Sequence, residues 1–425
     1  MRISSSTLYD VNVTALNQQQ SKMLHTQQQV SSGRRMLTAA DDPAAAARAL
    51  ELTQSDATNT QYAKNIDATQ HLLALSEGTL QTVTTLLQDV QTYAVNAGNV
   101  ATMTNTDRQS IATSLQNRLD ELMSLANSTD GIGNYLFSGF QGRTQPFVNV
   151  TAGPNAPVQY NGDDGQRLGQ VNANRQLAGS DSGADIFMRI KNGNGAFVTA
   201  PGPAVNTGSG IISQGNVINP ALLTGNNYQV DFTVVPGVAG APAVTTYTVT
   251  NTTTATQVLP PLPAPAVPGV PYVSGQAISF DGMQLDIQGA PGNGDQFTVK
   301  PSTNESVFKT ITDLINTLNA PILAGNVASA TQFSNNLNHG LNSLDRDLNN
   351  VLTIRASMGS RLRELDTLKT TGEDLSLQYK QALSLLQDVD YNKAITDLTQ
   401  QQTGLQAAQK SFLQVMNLSI FNYMP

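Results

Sequence analysis

Apolar residues return every seven positions at both ends of this chain, and that pairing restricts how it can fold. Near the amino end the spacing is kept by Leu16, Met23, Val30 and Leu37. Near the carboxy end Tyr391, Leu398, Leu405 and Phe412 keep it, interleaved with Ala394, Gln401, Ala408 and Val415. Seven residues are almost two helical turns, so each set lines one helix face and calls for another helix against it. Gln20 and Gln27 fill much of the remaining amino-terminal seam, which makes that helix a poor folder alone and its partner essential. Two such ends satisfy each other when the chain folds back on itself.

Further helices lie inside these ends. Gly33 and Thr38–Asp42 interrupt the first pattern. Asp42 before Pro43 reads as an N-cap and first-turn proline, and the alanine run from Ala44 favours helix as far as about Ala97. Leu80, Val83, Leu87 and Val90 give that helix an apolar stripe. At ~1.5 Å per residue it predicts a rod of roughly 80 Å. A third helix is expected from Thr106, with Thr106 and Gln109 as a capping box and Ile111, Leu115, Leu119 and Leu122 as its face. Three helices with short breaks predict an antiparallel bundle.

From about Gln141 the texture changes to Gly, Pro, Asn and Thr. Tyr228, Val230, Phe232 and Val234 alternate with polar residues, as do Tyr247 and Val249, and later Phe297 and Val299. Asp281–Gly282, between Phe280 and Met283, is a two-residue hairpin signal, and Leu285 and Ile287 carry the alternation on. Pro260–Pro271 reads as an extended loop. Helix is expected to return at a capping box formed by Ser302 and Glu305, with Val307, Ile311, Leu314 and Leu318 on one face. The longest stripe follows: Leu337, Leu341, Leu344, Leu348, Val351, Met358, Leu362 and Leu365, with Arg355 its one polar intruder. A break or loosening is expected near Thr370–Gly372.

The expected fold is therefore mainly α with a β-rich insertion. It is an elongated rod of long antiparallel helices, or coiled coil, from both termini, with a β domain at the distal tip. The expected domains are an assembly helix and linker over 1–42, rod over 43–145, a β-rich outer domain over 146–300, rod again over 301–372, and an assembly helix over 373–425.

Chemistry is harder to find. The three histidines, His25, His71 and His339, sit in Gln- or Asn-rich helical contexts without partners at metal-ligand spacing. Asp41–Asp42 is explained by the helix start better than by a metal or an acid–base pair. Asn161–Gly162–Asp163–Asp164–Gly165 lacks the alternating acids and distal glutamate of a calcium loop and reads as a tight turn. Gly131–Ile132–Gly133 fails as a dinucleotide fingerprint. Arg34–Arg35 reads as a solvated face or an intersubunit contact. The absence of cysteine excludes disulfides and thiolate sites. A net charge of −8 argues against nucleic acid. No apolar run approaches the ~18 residues of a membrane span, and Met1–Gln20 has no apolar core of a secretory signal. No catalytic, cofactor-binding or metal site is expected, and no enzyme. The heptads report packing without saying whose helix is packed. Their Gln-rich seams tilt Leu16, Met23, Val30, Leu37, Tyr391, Leu398, Leu405, Phe412 and Val415 towards an assembly interface.

Ser31–Ser32–Gly33–Arg34–Arg35 followed by Ala39–Ala40–Asp41–Asp42–Pro43–Ala44 resembles the amino-terminal signature of the flagellin-like family. The hook-associated junction proteins of that family are resembled more closely. Asn134–Tyr135–Leu136–Phe137–Ser138–Gly139–Phe140 with Thr144–Gln145–Pro146–Phe147, Tyr160–Asn161–Gly162–Asp163 with Arg167, Phe187 with Asn192–Gly193–Asn194–Gly195–Ala196–Phe197, and Gly294–Asp295–Gln296–Phe297–Thr298–Val299 look like its blocks. The ending, Ala407–Ala408–Gln409–Lys410–Ser411–Phe412 through Leu418–Ser419–Ile420–Phe421–Asn422–Tyr423, is similar to the junction protein's. Residues 200–275 match nothing in it. The resemblance implies a structural subunit of the bacterial flagellum that forms the layer between hook and filament. Its implied partners are copies of itself, the first junction protein, flagellin, and a cytoplasmic export chaperone at the carboxy-terminal helix. Its implied place is outside the cell, reached through type III export without a cleaved signal. The rival readings are flagellin or a flagellin paralogue, and a type III secreted adhesin or translocator.

Overall fold

The computed structural model describes residues 5–99, 102–150, 158–203, 205–237, 242–261 and 269–417, with side chains given from 7 to 414 except that of Leu8. Seven α-helices occur among them: α1 (Ser5–Ser32), α2 (Pro43–Ala97), α3 (Asn105–Ala126), α4 (Gly183–Phe187), α5 (Val307–Asn319), α6 (Val327–Gln387) and α7 (Tyr391–Asn417). Long helices come from both ends and strands fill the middle. No helix of the described residues is long and apolar enough to cross a membrane.

The chain divides into two compact units, one of Met1–Ile66, Val171–Asn174 and Asp366–Pro425, the other of Asp67–Gln170 and Arg175–Leu365. In the first, α1 pairs with α7 and the start of α2 with the end of α6. The three-helix bundle expected from α1, α2 and α3 is thus not what forms: α1 takes α7, and α3, in the other unit, takes α5. Asp42 caps α2 as expected, its Oδ1 accepting from Ala45 N at 3.0 Å.

Two other helix starts differ from expectation. The capping box of α3 is Thr104 with Asp107, not Thr106 with Gln109; Asp107 N donates to Thr104 Oγ1 at 3.2 Å and Thr104 N donates back to Asp107 Oδ2 at 2.9 Å. Ser302 and Glu305 form no box, because the chain is still extended there, with a strand at Asn304–Glu305. Ser306 caps α5 instead, accepting from Lys309 N at 3.1 Å. The break expected near Thr370–Gly372 is absent, and α6 runs unbroken for 61 residues. One helical glycine costs only about 1 kcal/mol, and Asn59 Nδ2 donates to the Gly372 carbonyl at 2.7 Å.

In the second unit, a six-stranded sheet has the spatial order Thr256–Leu259, Val244–Asn251, Tyr228–Val235, Gln296–Pro301, Phe197–Pro201, with Val270–Pro271 also on Val244–Asn251. Part of the proline-rich segment is therefore strand, while residues 262–268 lie outside the described ones. A four-stranded sheet is built on the Ala277–Phe280 and Met283–Gln288 hairpin. Its turn is the expected Asp281–Gly282, with φ of 42° and 77° and Phe280 opposite Met283. Alternate residues of both sheets meet in one core that includes Tyr228, Val230, Phe232, Leu285, Ile287 and Phe297.

Helix α6 holds this region with polar side chains. Asn335 accepts from Ile212 N and donates to Gly210 O, both at 3.0 Å. Arg346 Nε donates to Gly193 O at 3.1 Å, Asn350 Nδ2 to Ile186 O at 3.0 Å, and Arg361 pairs with Asp181. From Asn335 to Arg346, and from Asn350 to Arg361, is eleven residues, close to three whole turns, so each pair shares a face.

Candidate assembly surface

Helices α1 and α7 run antiparallel. Tyr9 and Phe412 rings meet at one end, 5.6 Å apart, and at the other Val389 N donates to the Gly33 carbonyl at 3.0 Å. Between those points Gly404 faces the free end of the Gln19 side chain; a Cβ there would lie 2.4 Å from Gln19 Nε2.

The expected seam residues fall on this pair or beside it. Leu16, Met23 and Val30 of α1 and Leu398, Leu405 and Phe412 of α7 are half-buried, as is Leu37 in the connector. Tyr391, the first residue of α7, is 52% exposed, with its Oη 3.0 Å from where a Cβ on Gly33 would stand. The side chain of Val415, and the Leu418–Tyr423 motif, lie outside the described residues. Of the described α1 and α7 side chains only Thr26 and Ala394 are buried. Large apolar groups stand open on the same two helices: Val11, Leu24, Ile395 and Leu413. Two helices facing each other cannot wall in their seam, so substantial apolar area is left for another surface.

The connectors hold the pair in place within this unit. Arg35 N donates to Gln387 O at 2.7 Å, and its Nη2 donates to Leu386 O at 2.9 Å. A cation on the last carbonyls of α6 opposes the negative end of the helix dipole. Arg35, whose side chain stays 48% exposed, thus acts as an intramolecular cap from a solvated position. Sequence reasoning missed this role because Leu386 is so distant along the chain. Asp41 Oδ2 accepts from Leu37 N and Thr38 N, both at 2.8 Å. Those backbone bonds, Thr38 first and Leu37 next, hold its carboxyl below the usual aspartate range, with His25 adding a smaller pull in the same direction. His25 Nε2 lies 3.7 Å from Asp41 Oδ1, a neighbour its own helix does not reveal.

The blocks of the family resemblance serve packing in the second unit. Phe137, Phe147, Phe187 and Phe308 form one aromatic cluster, with ring centroids 5.3–6.0 Å apart. Arg167 donates to Gly139 O and Tyr135 O at 3.1 Å, and Asp163 Oδ1 accepts from Phe140 N and Gly165 N at 2.8 Å. The Gly165 N bond closes a local side-chain turn at Asp163, and the Phe140 N bond ties it to the preceding block. Among the described residues no group of three His, Asp or Glu side chains could hold a metal ion. A groove of about 340 Å³ in the first unit is lined by Asn59, Tyr62, Lys369, Leu375 and Tyr379 among others, a set with no paired acid and base.

Comparison with known proteins distinguishes the two flagellar readings. The family of the bacterial flagellin N-terminal helical region matches residues 3–142. Flagellar hook-associated protein 3 of Salmonella typhimurium is 29% identical over 99% of this chain and 99% of its own. The crystal structure of flagellar hook-associated protein 3 from Legionella pneumophila superposes with a TM-score of 0.71 at 31% identity, covering 79% of this chain and 98% of that one. A structure of the flagellar junction protein of Legionella pneumophila gives 0.70 at 30%, covering 80% and 100%. Two flagellins match only 39% and 44% of this chain, whereas the hook-associated match spans nearly all of it, so this chain belongs to the flagellar hook-associated protein 3 family.

Proposed function

We propose that the chain forms the layer at the hook–filament junction on which flagellin assembles, and that α1 and α7 are the surface through which its copies join. It is a structural component of the bacterial flagellum, associated with other flagellar parts, and not an enzyme. The half-open seam of α1 and α7 carries the finer reading. Full burial of a leucine contributes about 1.5–3 kcal/mol, and Leu16, Leu398 and Leu405 collect only part of that. Packing against neighbouring copies, the first junction protein or flagellin supplies the rest, so ordering of the ends is coupled to assembly. Before assembly the same apolar α7 face suits an export chaperone, and type III passage without a cleaved signal suits a chain whose ends fold late.

The test replaces the gene with Leu405→Asp and counts hooks bearing filaments by electron microscopy. Bare hooks are expected, while the purified variant keeps the β-sheet signature of its middle. Normal filaments would refute the role of the seam. In the gene deletion bare hooks are expected too, and filaments still attached would remove the junction role itself.

A further inference from the structure

Four asparagines precede a glycine: Asn161, Asn192, Asn194 and Asn293. In such a pair the glycine nitrogen can attack the asparagine Cγ, and the missing Cβ leaves that nitrogen unusually open. The reaction needs the side-chain amide and the attacking N–H free to swing together. Three of the four pairs are held. Asn192 Oδ1 accepts from Thr303 N at 2.9 Å and from Ser302 Oγ at 3.2 Å. Asn194 Oδ1 accepts from Ala196 N and Phe197 N at 3.0 and 2.9 Å, and its attacking nitrogen, Gly195 N, donates to Asn192 O at 3.1 Å. Asn293 Oδ1 accepts from Val234 N at 3.0 Å, and Gly294 N donates to Phe232 O at 2.9 Å.

Asn161 is different. Its side chain is exposed, and among the described residues neither its amide nor the Gly162 N–H has a hydrogen-bond partner. Packing imposes the glycine. A Cβ at 162 would lie 2.5 Å from Tyr160 Oη, which is itself fixed 3.0 Å from Phe137 O and 2.9 Å from Asp163 O. The tyrosine that fills this turn therefore requires the one residue type that makes Asn161 labile.

We infer that Asn161 is a site of spontaneous deamidation in the folded chain. Gly162 N bonds to Asn161 Cγ, the Cγ–Nδ2 bond breaks, and ammonia leaves with the proton given up by Gly162 N. Water then opens the succinimide at either carbonyl, giving aspartate or isoaspartate; one water enters, one ammonia leaves, and nothing is oxidised or reduced. Isoaspartate adds a methylene to the main chain two residues before Asp163, whose Oδ1 holds Phe140 N and Gly165 N.

The full chain, incubated in mildly alkaline buffer made with heavy-oxygen water, is digested and mapped by mass spectrometry. Each of the held pairs must first break a hydrogen bond, so Asn161 should convert about tenfold or more faster than the other three. Its product should be mixed aspartate and isoaspartate, each carrying the heavy oxygen. In urea the four rates should converge. Asn161→Gln should silence this peptide and leave the other three unchanged. Equal slow rates in the folded chain, a product free of isoaspartate, or an unchanged spread of rates in urea would each overturn the inference.

Discussion

Two stretches of this molecule obey the same sevenfold rule and end with different burial. In α6, Leu337, Leu344, Val351, Met358 and Leu365 are at most 4% exposed. In α1 and α7 Leu16, Met23, Val30, Leu398, Leu405 and Phe412, on the same spacing, stay half-buried. The α6 stripe in the second unit meets more than one neighbour: Gly98 after α2 closes on Leu337, and Leu314 of α5 closes on Gly340. The terminal pair has two helices and one seam. A heptad therefore states that a face will be covered, and the number of available walls decides how far the chain covers it by itself.

The sharpest way to break this comparison is a matched pair of truncations. Leu344→Ala should lower the unfolding free energy by about 2–5 kcal/mol, since the cavity is enclosed. Leu405→Ala, already half-solvated, should cost under about 1 kcal/mol in the monomer. Denaturant midpoints by circular dichroism measure both, and equal losses would mean that the seams are equally enclosed.

Much of this contrast was legible in the residues, and the parts that were not have identifiable causes. The seams, the Asp42–Pro43 helix start and the Asp281–Gly282 turn are local patterns with local causes. The caps were misplaced because Thr, Ser and Asn crowd this chain, so several overlapping registers offer a hydroxyl with a partner three residues on; Thr104–Asp107 and Thr106–Gln109 are two of them. The Arg35 cap on α6 and the His25–Asp41 contact arise from tertiary folding and leave no local trace. For the proposed assembly surface, the sequence supplied the faces, and the open apolar groups Val11, Leu24, Ile395 and Leu413 emerged only once the pairing was known.

A second comparison uses two glycines whose added Cβ would meet a neighbour at the same 2.4 Å. At Gly340 the neighbour is Leu314 Cδ2, locked in a core, and Gly340→Ala should cost about 1–3 kcal/mol. At Gly404 it is Gln19 Nε2, the free end of a flexible chain, and Gly404→Ala should be neutral or stabilise by up to about 1 kcal/mol through helix propensity. Thermal unfolding of both variants measures this, and a Gly404→Ala loss as large as that of Gly340→Ala would show the terminal pair to be rigidly packed.

The gentlest test is a slope over pH, opposite in sign for two aspartates. Burial raises the Asp347 carboxyl well above 3.8, a Thr310 hydrogen bond opposes the rise, and the Glu305 charge adds to it. Between 3.8 and that raised value the folded chain keeps a proton the unfolded chain has lost. The stability this confers is present at low pH and declines as pH climbs through the interval. Asp41 is held below 3.8, so its contribution is present above that value and declines as pH falls through the lowered one. Unfolding of Asp347→Asn and Asp41→Asn across pH should flatten the alkaline-going decline in the first and the acid-going decline in the second. An unchanged profile in Asp347→Asn would place that proton elsewhere.

The stripe of α6 keeps its count from Leu337 to Leu365 without a skipped position. Because each residue turns a helix by about 100°, one residue added or lost inside that span would swing everything beyond it from the core into water. Asn350 and Arg361 would turn with it and release the backbone of 178–186 that they hold. The length of this helix is therefore quantised: it tolerates exchange of residues far better than a change in their number, and viable variants should differ there by whole heptads or not at all.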